Sequence, residues 1–151
     1  MKFGGAERVQ QLQEHMKAVG RDNGIAFSYD GVISNTFESH RLIQWAQQTN
    51  HQSTVVEEIY ALYFEQDKDI SDIDNLVVAA ERAGLDSTET RAFLKSDSLV
   101  EDVKQLLLAS KAHGVNGVPD FIVGDKYQVS GAQEPETFVA VFEQVLKKMQ
   151  Q

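Results

Sequence analysis

Residues 114–133 constrain this chain more than any other stretch. Gly114-Val115-Asn116-Gly117 reads as a glycine-punctuated turn, and Val118-Pro119 as an X-Pro bond opening a strand over 121–123. A second strand over 127–129 follows, and Gly131-Ala132-Gln133 leads into a final helix. Pro135 suits the first turn of that helix, where its missing N–H does no harm. Phe138, Val141, Phe142, Val145, Leu146 and Met149 fall on one stripe, which predicts a buried face. Lys147 and Lys148 stand where the helix dipole favours cations. Two connections between the strands are open: Gly124-Asp125 suits a two-residue type II′ turn. A three-residue loop would instead align Phe121, Val123, Tyr127 and Val129 on one face.

Helical periodicity dominates everything before that segment. Val9, Leu12, Met16 and Val19 recur at helix spacing, with Gly20 placed to end the helix and Ile25-Ala26-Phe27 extended after it. Asn35 with Glu38 three residues on predicts a capped helix through Leu42, Ile43, Trp45 and Ala46. Ser53 precedes a helix bearing Val56, Ile59, Tyr60 and Tyr63 on one face. Ser71 with Asp74, Asp86 with Glu89, and Ser98 with Glu101 mark three more starts. Gly84 and Gly114 mark the stops of the first and third of these helices.

Composition narrows the function classes. At 151 residues the chain suits a single domain over 1–151, able to bury roughly 68–70% of its unfolded surface. A net charge of −9 disfavours nucleic acid, whose phosphates need clustered Lys and Arg, and disfavours anionic membranes. No apolar run approaches the ~18 residues of a membrane span. The charged start, Lys2 and Glu7-Arg8, is unlike a signal peptide, so a cytoplasmic location is expected. The chain contains no cysteine, which removes disulfides, thiolate metal ligands and cysteine nucleophiles together.

Three blocks carry a resemblance: Asn35-Thr36-Phe37-x-x-His40-Arg41-Leu42-Ile43, Gly117-Val118-Pro119-Asp120-Phe121, and Val129-Ser130-Gly131-Ala132-Gln133. In this order, with a helical segment between, the chain resembles the C-terminal two-thirds of a DsbA-like thioredoxin-family oxidoreductase of the FrnE type. The resemblance implies an α+β, mostly helical, truncated thioredoxin-like fold. Its helical insertion would occupy about 1–114, and a β-hairpin and helix about 115–151. It further implies that Pro119 is the family's cis-proline, with Val118 offering backbone groups to an extended peptide or to glutathione. The alternative is that Pro119 merely opens an edge strand, since X-Pro bonds are cis only ~5–6% of the time. The family's Cys-x-x-Cys has no counterpart here.

An isolated hairpin is marginal in water, and its open backbone edge wants a partner. Pairing across a two-fold axis would give a four-stranded sheet, so a homodimer is expected. No cofactor and no metal are expected, because no pair among His15, His40, His51 and His113 has ligand spacing. His113 at a helix end suits the dipole better than acid/base work beside the groove. The acidic run Asp67, Asp69, Asp72 and Asp74 lacks a calcium loop's central glycine and suits a solvated loop and cap. Trp45, Tyr60, Tyr63 and Phe64 suit core packing, with a ligand pocket between helices as the other reading. Ser130 has no adjacent base.

Three functions follow. One is a redox-inactive family homologue acting as a dimeric binding module. The second is a protein disulfide oxidoreductase or isomerase whose cysteine segment is missing from this chain. The third is a glutathione-binding isomerase or transferase relative.

Overall fold

A computed structural model describes residues 5–149. They form seven α-helices and one antiparallel hairpin, an α+β fold dominated by helix. The chain divides into two compact units, Met1–Val103 and Lys104–Gln151.

The first unit holds α1 (Ala6–Asp22), α2 (Phe37–Gln47), α3 (Gln52–Tyr60), α4 (Ile73–Arg82) and α5 (Ser87–Leu94). A π-helical turn, Ala61–Glu65, continues α3. The core lies among α2 to α5, where Leu42, Val55, Leu76, Ala79 and Ala80 are wholly buried and Ile59, Leu62, Phe93 and Leu94 nearly so. The face of α3 differs from the periodicity: Val55, Ile59 and Leu62 are buried, whereas Tyr60 is 54% exposed. The reason is that α3 packs between α2 and α4, which cover the side bearing Val55 and Ile59 and leave the Tyr60 side open.

The start signals mark the right helices, displaced by one residue at α2 and α4, by two at α3 and by none at α5. Thr36, not Asn35, is the residue before α2; the Asn35 side-chain oxygen accepts from the Phe37 N–H at 2.9 Å. Ser53 lies inside α3 and His51 precedes it. Asp72, not Ser71, caps α4 by accepting from the Asp74 N–H at 2.8 Å. Asp86 caps α5 as the spacing predicts, accepting from Glu89 N–H at 2.8 Å. Gly20 does not end α1: the helix runs on to Asp22, and Gly24 at φ +77° takes the left-handed position after it. Gly20 is glycine for another reason. A Cβ there would stand 2.5 Å from the Phe27 ring and 2.8 Å from the Ile25 carbonyl.

The second unit begins within α6 (Val100–Ala112) and continues through β1 (Asp120–Val123), β2 (Tyr127–Ser130) and α7 (Pro135–Met149). The strands pair Phe121 with Val129 and Val123 with Tyr127, so the three-residue loop is the form adopted. Gly124 and Asp125 both take positive φ, +58° and +55°, and the Lys126 N–H returns to the Val123 carbonyl. A Cβ on Gly124 would meet Val145 of α7 at 3.0 Å.

Burial in this unit corrects the expected stripe. Phe138, Val141 and Val145 are half-buried, but Phe142, Leu146 and Met149 are exposed, and no residue of α7 is fully buried. On α6, Val103 is buried while Leu106 and Leu107 are exposed. A single hairpin offers too little surface to cover a fifteen-residue amphipathic helix.

Candidate functional site

The site predicted at Val118 and Pro119 is built by the turn that follows α6. Gly114 at φ +80° ends the helix, and Asn116 folds its amide back to the Gly114 carbonyl at 2.9 Å. Val118–Pro119 is a cis peptide bond. Val118 is 89% exposed, and neither its N–H nor its carbonyl bonds any described residue. The Pro119 carbonyl accepts from the Gly131 N–H at 2.8 Å, so Gly131, φ +79°, locks the turn to the far strand.

That bond sets the phase of the ladder. Pro119, Phe121 and Val123 direct their backbone groups toward β2, and Asp120 and Ile122 direct theirs away. Among the described residues no further strand pairs with β1. The outer edge of β1 therefore carries free N–H and C=O groups next to the free backbone of Val118. Ile122, 58% exposed, projects from this strand on the face opposite α7.

The other face is anchored. The Phe121 ring meets Phe138 of α7 edge-on at 5.0 Å, and Lys148 Nζ lies 5.1 Å over the Tyr127 ring. On the outer face the Gln128 amide bonds both Asp120 oxygens at 3.0 Å, across the strands. The result is an exposed strand packed against α7 on one face.

What the arrangement presents is an open strand edge beside exposed apolar surface. Thiol–disulfide exchange needs an attacking thiolate, and the chain has no cysteine. His113 is exposed at the end of α6, and its backbone N–H bonds the Ala109 carbonyl at 2.8 Å; the structure brings no carboxylate or serine to its ring. Ser130 is exposed on β2 with no hydrogen bond from its hydroxyl. Among the described residues no cluster of His, Asp or Glu could hold a metal, and no helix is long and apolar enough to cross a membrane.

In the first unit the acidic run is a loop and cap. Asp69 accepts from the Ser71 hydroxyl at 2.7 Å and its N–H at 2.8 Å. The Ser34 hydroxyl first, then Ser71, holds the Asp69 carboxyl below its ordinary 3.8. The sequence reading missed the weight of Arg41. The residue is 2% exposed, and its guanidinium gathers the carbonyls of Phe93, Leu94, Ser96 and Ser98, with Ser96 at 2.6 Å. Glu38 closes the ion pair at 2.5 Å, and the Phe93 ring lies 5.1 Å beneath. The Glu38-x-x-Arg41 spacing was the available signal.

Comparison with known proteins agrees with this geometry. The DSBA-like thioredoxin domain profile matches residues 2–143. A crystal structure of a probable DsbA oxidoreductase from Streptomyces coelicolor superposes with a TM-score of 0.86 at 29% identity, over 97% of this chain and 64% of that one. A putative protein disulfide isomerase from Nitrosomonas europaea shares the fold, with a TM-score of 0.75 at 13% identity over 96% of this chain and 76% of that one. The uncharacterized protein YwbO of Bacillus subtilis is 30% identical over 91 residues, 60% of this chain and 45% of that protein. The chain thus spans less than two-thirds of the Streptomyces protein and under half of the Bacillus one.

Proposed function

This chain belongs to the DSBA-like thioredoxin domain family, and from that premise we propose that it works as a binding module of the FrnE-type branch, without disulfide chemistry of its own. The module pairs by its outer β1 edge with an extended polypeptide, in the first instance a second copy of itself, giving a homodimer. One observation carries this reading: Val118, Asp120 and Ile122 present backbone groups unpaired among the described residues beside an exposed apolar side chain, on a strand packed against α7 from behind. Such an edge is a template for strand addition, with backbone bonds giving affinity and alternate side chains giving selectivity.

Sedimentation equilibrium at high micromolar concentration tests it. The expected mass is twice 16.9 kDa, and Ile122→Lys returns it to 16.9 kDa. A native chain that stays at 16.9 kDa, and binds no extended peptide, overturns the reading. In an insulin-reduction assay the chain is expected to add nothing to the dithiothreitol background.

A second reading is favoured by one finding: this chain spans 64% of the Streptomyces protein. In it the same β1 edge receives the family's Cys-x-x-Cys segment, which this chain lacks, and the completed protein performs thiol–disulfide exchange. The attacking thiolate then comes wholly from the added segment. Glutathione held at Val118 and Pro119 is a narrower form of this idea, and absence of binding at millimolar glutathione would remove it.

A further inference from the structure

The first unit holds three recesses that the reading above does not use, and they join end to end. One, of about 290 Å³, lies between α2 and α3, walled by Ile43, Val56, Ile59 and Tyr60. The next, of about 200 Å³, shares Ile33, Tyr63 and Phe64 with it. The third, of about 250 Å³, shares Gln13 and Tyr29 with the second and ends on Val9, Leu12 and Met16 of α1. The π turn over Ala61–Glu65 supplies Tyr63 and Phe64, the two rings at the first junction. Such turns within α-helices gather at functional sites. Ring contacts run the same way: Tyr60 to Phe64 at 5.7 Å, Phe64 to Phe27 at 5.8 Å, and Phe27 to Tyr29 at 6.4 Å.

Among the described residues no Asp, Glu, Lys or Arg lines any of the three. The lip is apolar too: Ile33 is 93% exposed, and Val9, Leu12, Met16 and Tyr29 all reach solvent. Contiguous apolar surface of this kind marks a place that something covers. Polarity gathers at the end between α2 and α3. Ser39 there is committed to the Thr36 carbonyl at 2.7 Å, and the Ser34 hydroxyl oxygen is sealed from solvent. Thr36 and His40 differ. Both are exposed, and neither the Thr36 hydroxyl nor the His40 ring bonds a described residue. Thr36 immediately precedes α2 and His40 lies in its first turn, where the helix dipole favours negative charge.

We propose that this trough binds a long-chain fatty acid, its carboxylate at Thr36 and His40 and its tail running past Ile33 and Tyr29 toward Leu12. A ligand that fills three joined recesses must be thin and jointed, which an unbranched chain is and a fused ring is not. Apolar walls along the length with polar groups at one end match a molecule that is apolar along its length and charged at one end. The hydroxyl and the imidazole can both donate, and with the positive end of α2 they select an anionic head over a cationic one. The chain's net charge of −9 opposes any anion at long range, a term that salt screens, whereas the two donors act at contact.

Calorimetric titration of the full chain with decanoate, dodecanoate and tetradecanoate, each below its micelle concentration, tests the proposal. A single site is expected, tightening about 2- to 4-fold per added methylene, the upper figure being complete burial at ~0.8 kcal/mol. His40→Ala should weaken dodecanoate ~10-fold and leave dodecanol unchanged, since only the acid uses the ring. Ile33→Asp should weaken the acid and the alcohol alike by at least ~10-fold. Both positions are exposed, so the circular dichroism should stay native. Ile122→Lys should change none of this, which separates the trough from the β1 edge. No binding of any acid, affinity independent of chain length, or dodecanoate binding that survives either trough substitution unchanged overturns the proposal. Self-association abolished by Ile33→Asp, with no acid bound, would assign the trough to a second copy and overturn it as well.

Discussion

The two units of this molecule meet the same physical demand in opposite ways. The first closes a core of its own: Leu42, Val55, Leu76, Ala79 and Ala80 have no exposed surface, and Arg41 ties the end of α5 to α2 with buried, charge-assisted bonds. The second buries Val129 on its hairpin but leaves Ile122, Phe142 and Leu146 at 58%, 48% and 57% exposure. Its α7 has a clear apolar stripe, and the hairpin covers part of it. The first unit thus closes a core of its own, and the second carries open apolar surface beside an unpaired strand edge. Val9, Leu12, Met16 and Val19 of α1 show that the first unit also exposes one stripe, though without a free strand edge beside it.

The sharpest way to break this contrast is at Arg41. Arg41→Ala removes the donor to four carbonyls and leaves Glu38 without its ion pair. The expected loss is about 3–5 kcal/mol by urea denaturation, as for severing a buried pair. Arg41→Lys should recover little of it, because one ammonium cannot span the fork's acceptors. A loss under ~1 kcal/mol would reduce Arg41 to a surface contact.

A matched pair of truncations compares the units directly. Leu42→Ala should cost about 2–5 kcal/mol. Phe142→Ala on α7 should cost only ~1 kcal/mol in dilute solution, since half its ring already faces water. At high protein concentration the Phe142→Ala cost should grow if the partner covers that ring. Equal costs for the two at every concentration would erase the distinction.

Ile122→Lys sharpens it further. With the side chain mostly in solvent, the fold should lose less than ~0.5 kcal/mol. Self-association should weaken at least ~10-fold, because a charged edge residue opposes strand pairing.

The smallest effect concerns pH in the first unit. Asp69 has its folded pKa lowered by Ser34 and Ser71, so its ionised form favours the folded state. That contribution is fully present above the ordinary value of 3.8 and is lost as pH falls through the lower folded value. Asp69→Asn should therefore be less stable than the native chain at neutral pH, with the gap closing in strong acid. A gap that persists unchanged into acid would assign the effect to shape and not to charge.

Much of this fold was legible in the chain because its signals are local. Asp86 with Glu89, the presence of the hairpin, and Pro135 at the first turn of α7 each depend on a few neighbouring residues; the loop length, two residues or three, needed the structure, which takes three. Errors arose where tertiary packing decides. Gly20 looks like a helix stop by sequence, but it is the point where Phe27 crosses α1. Tyr60 looked buried by period, yet α2 and α4 cover the Val55 and Ile59 side of α3 and leave Tyr60 half in water. Buried placement of Arg41 was invisible because its acceptors lie more than fifty residues away. At the candidate site, sequence placed Val118 and Pro119 just ahead of β1 and foresaw an open edge. Phase was the missing part, since only the Gly131–Pro119 bond reveals which strand residues face outward.

Amide hydrogen exchange along β1, followed across protein concentration, tests the central claim most directly. The account predicts that the Ile122 N–H, which faces away from β2, exchanges freely in dilute solution and becomes protected at high concentration or with a bound extended peptide. Meanwhile the Phe121 and Val123 amides stay protected throughout. An Ile122 amide that exchanges at the same fast rate at every concentration and with every peptide, or one protected even in dilute monomer, would contradict it.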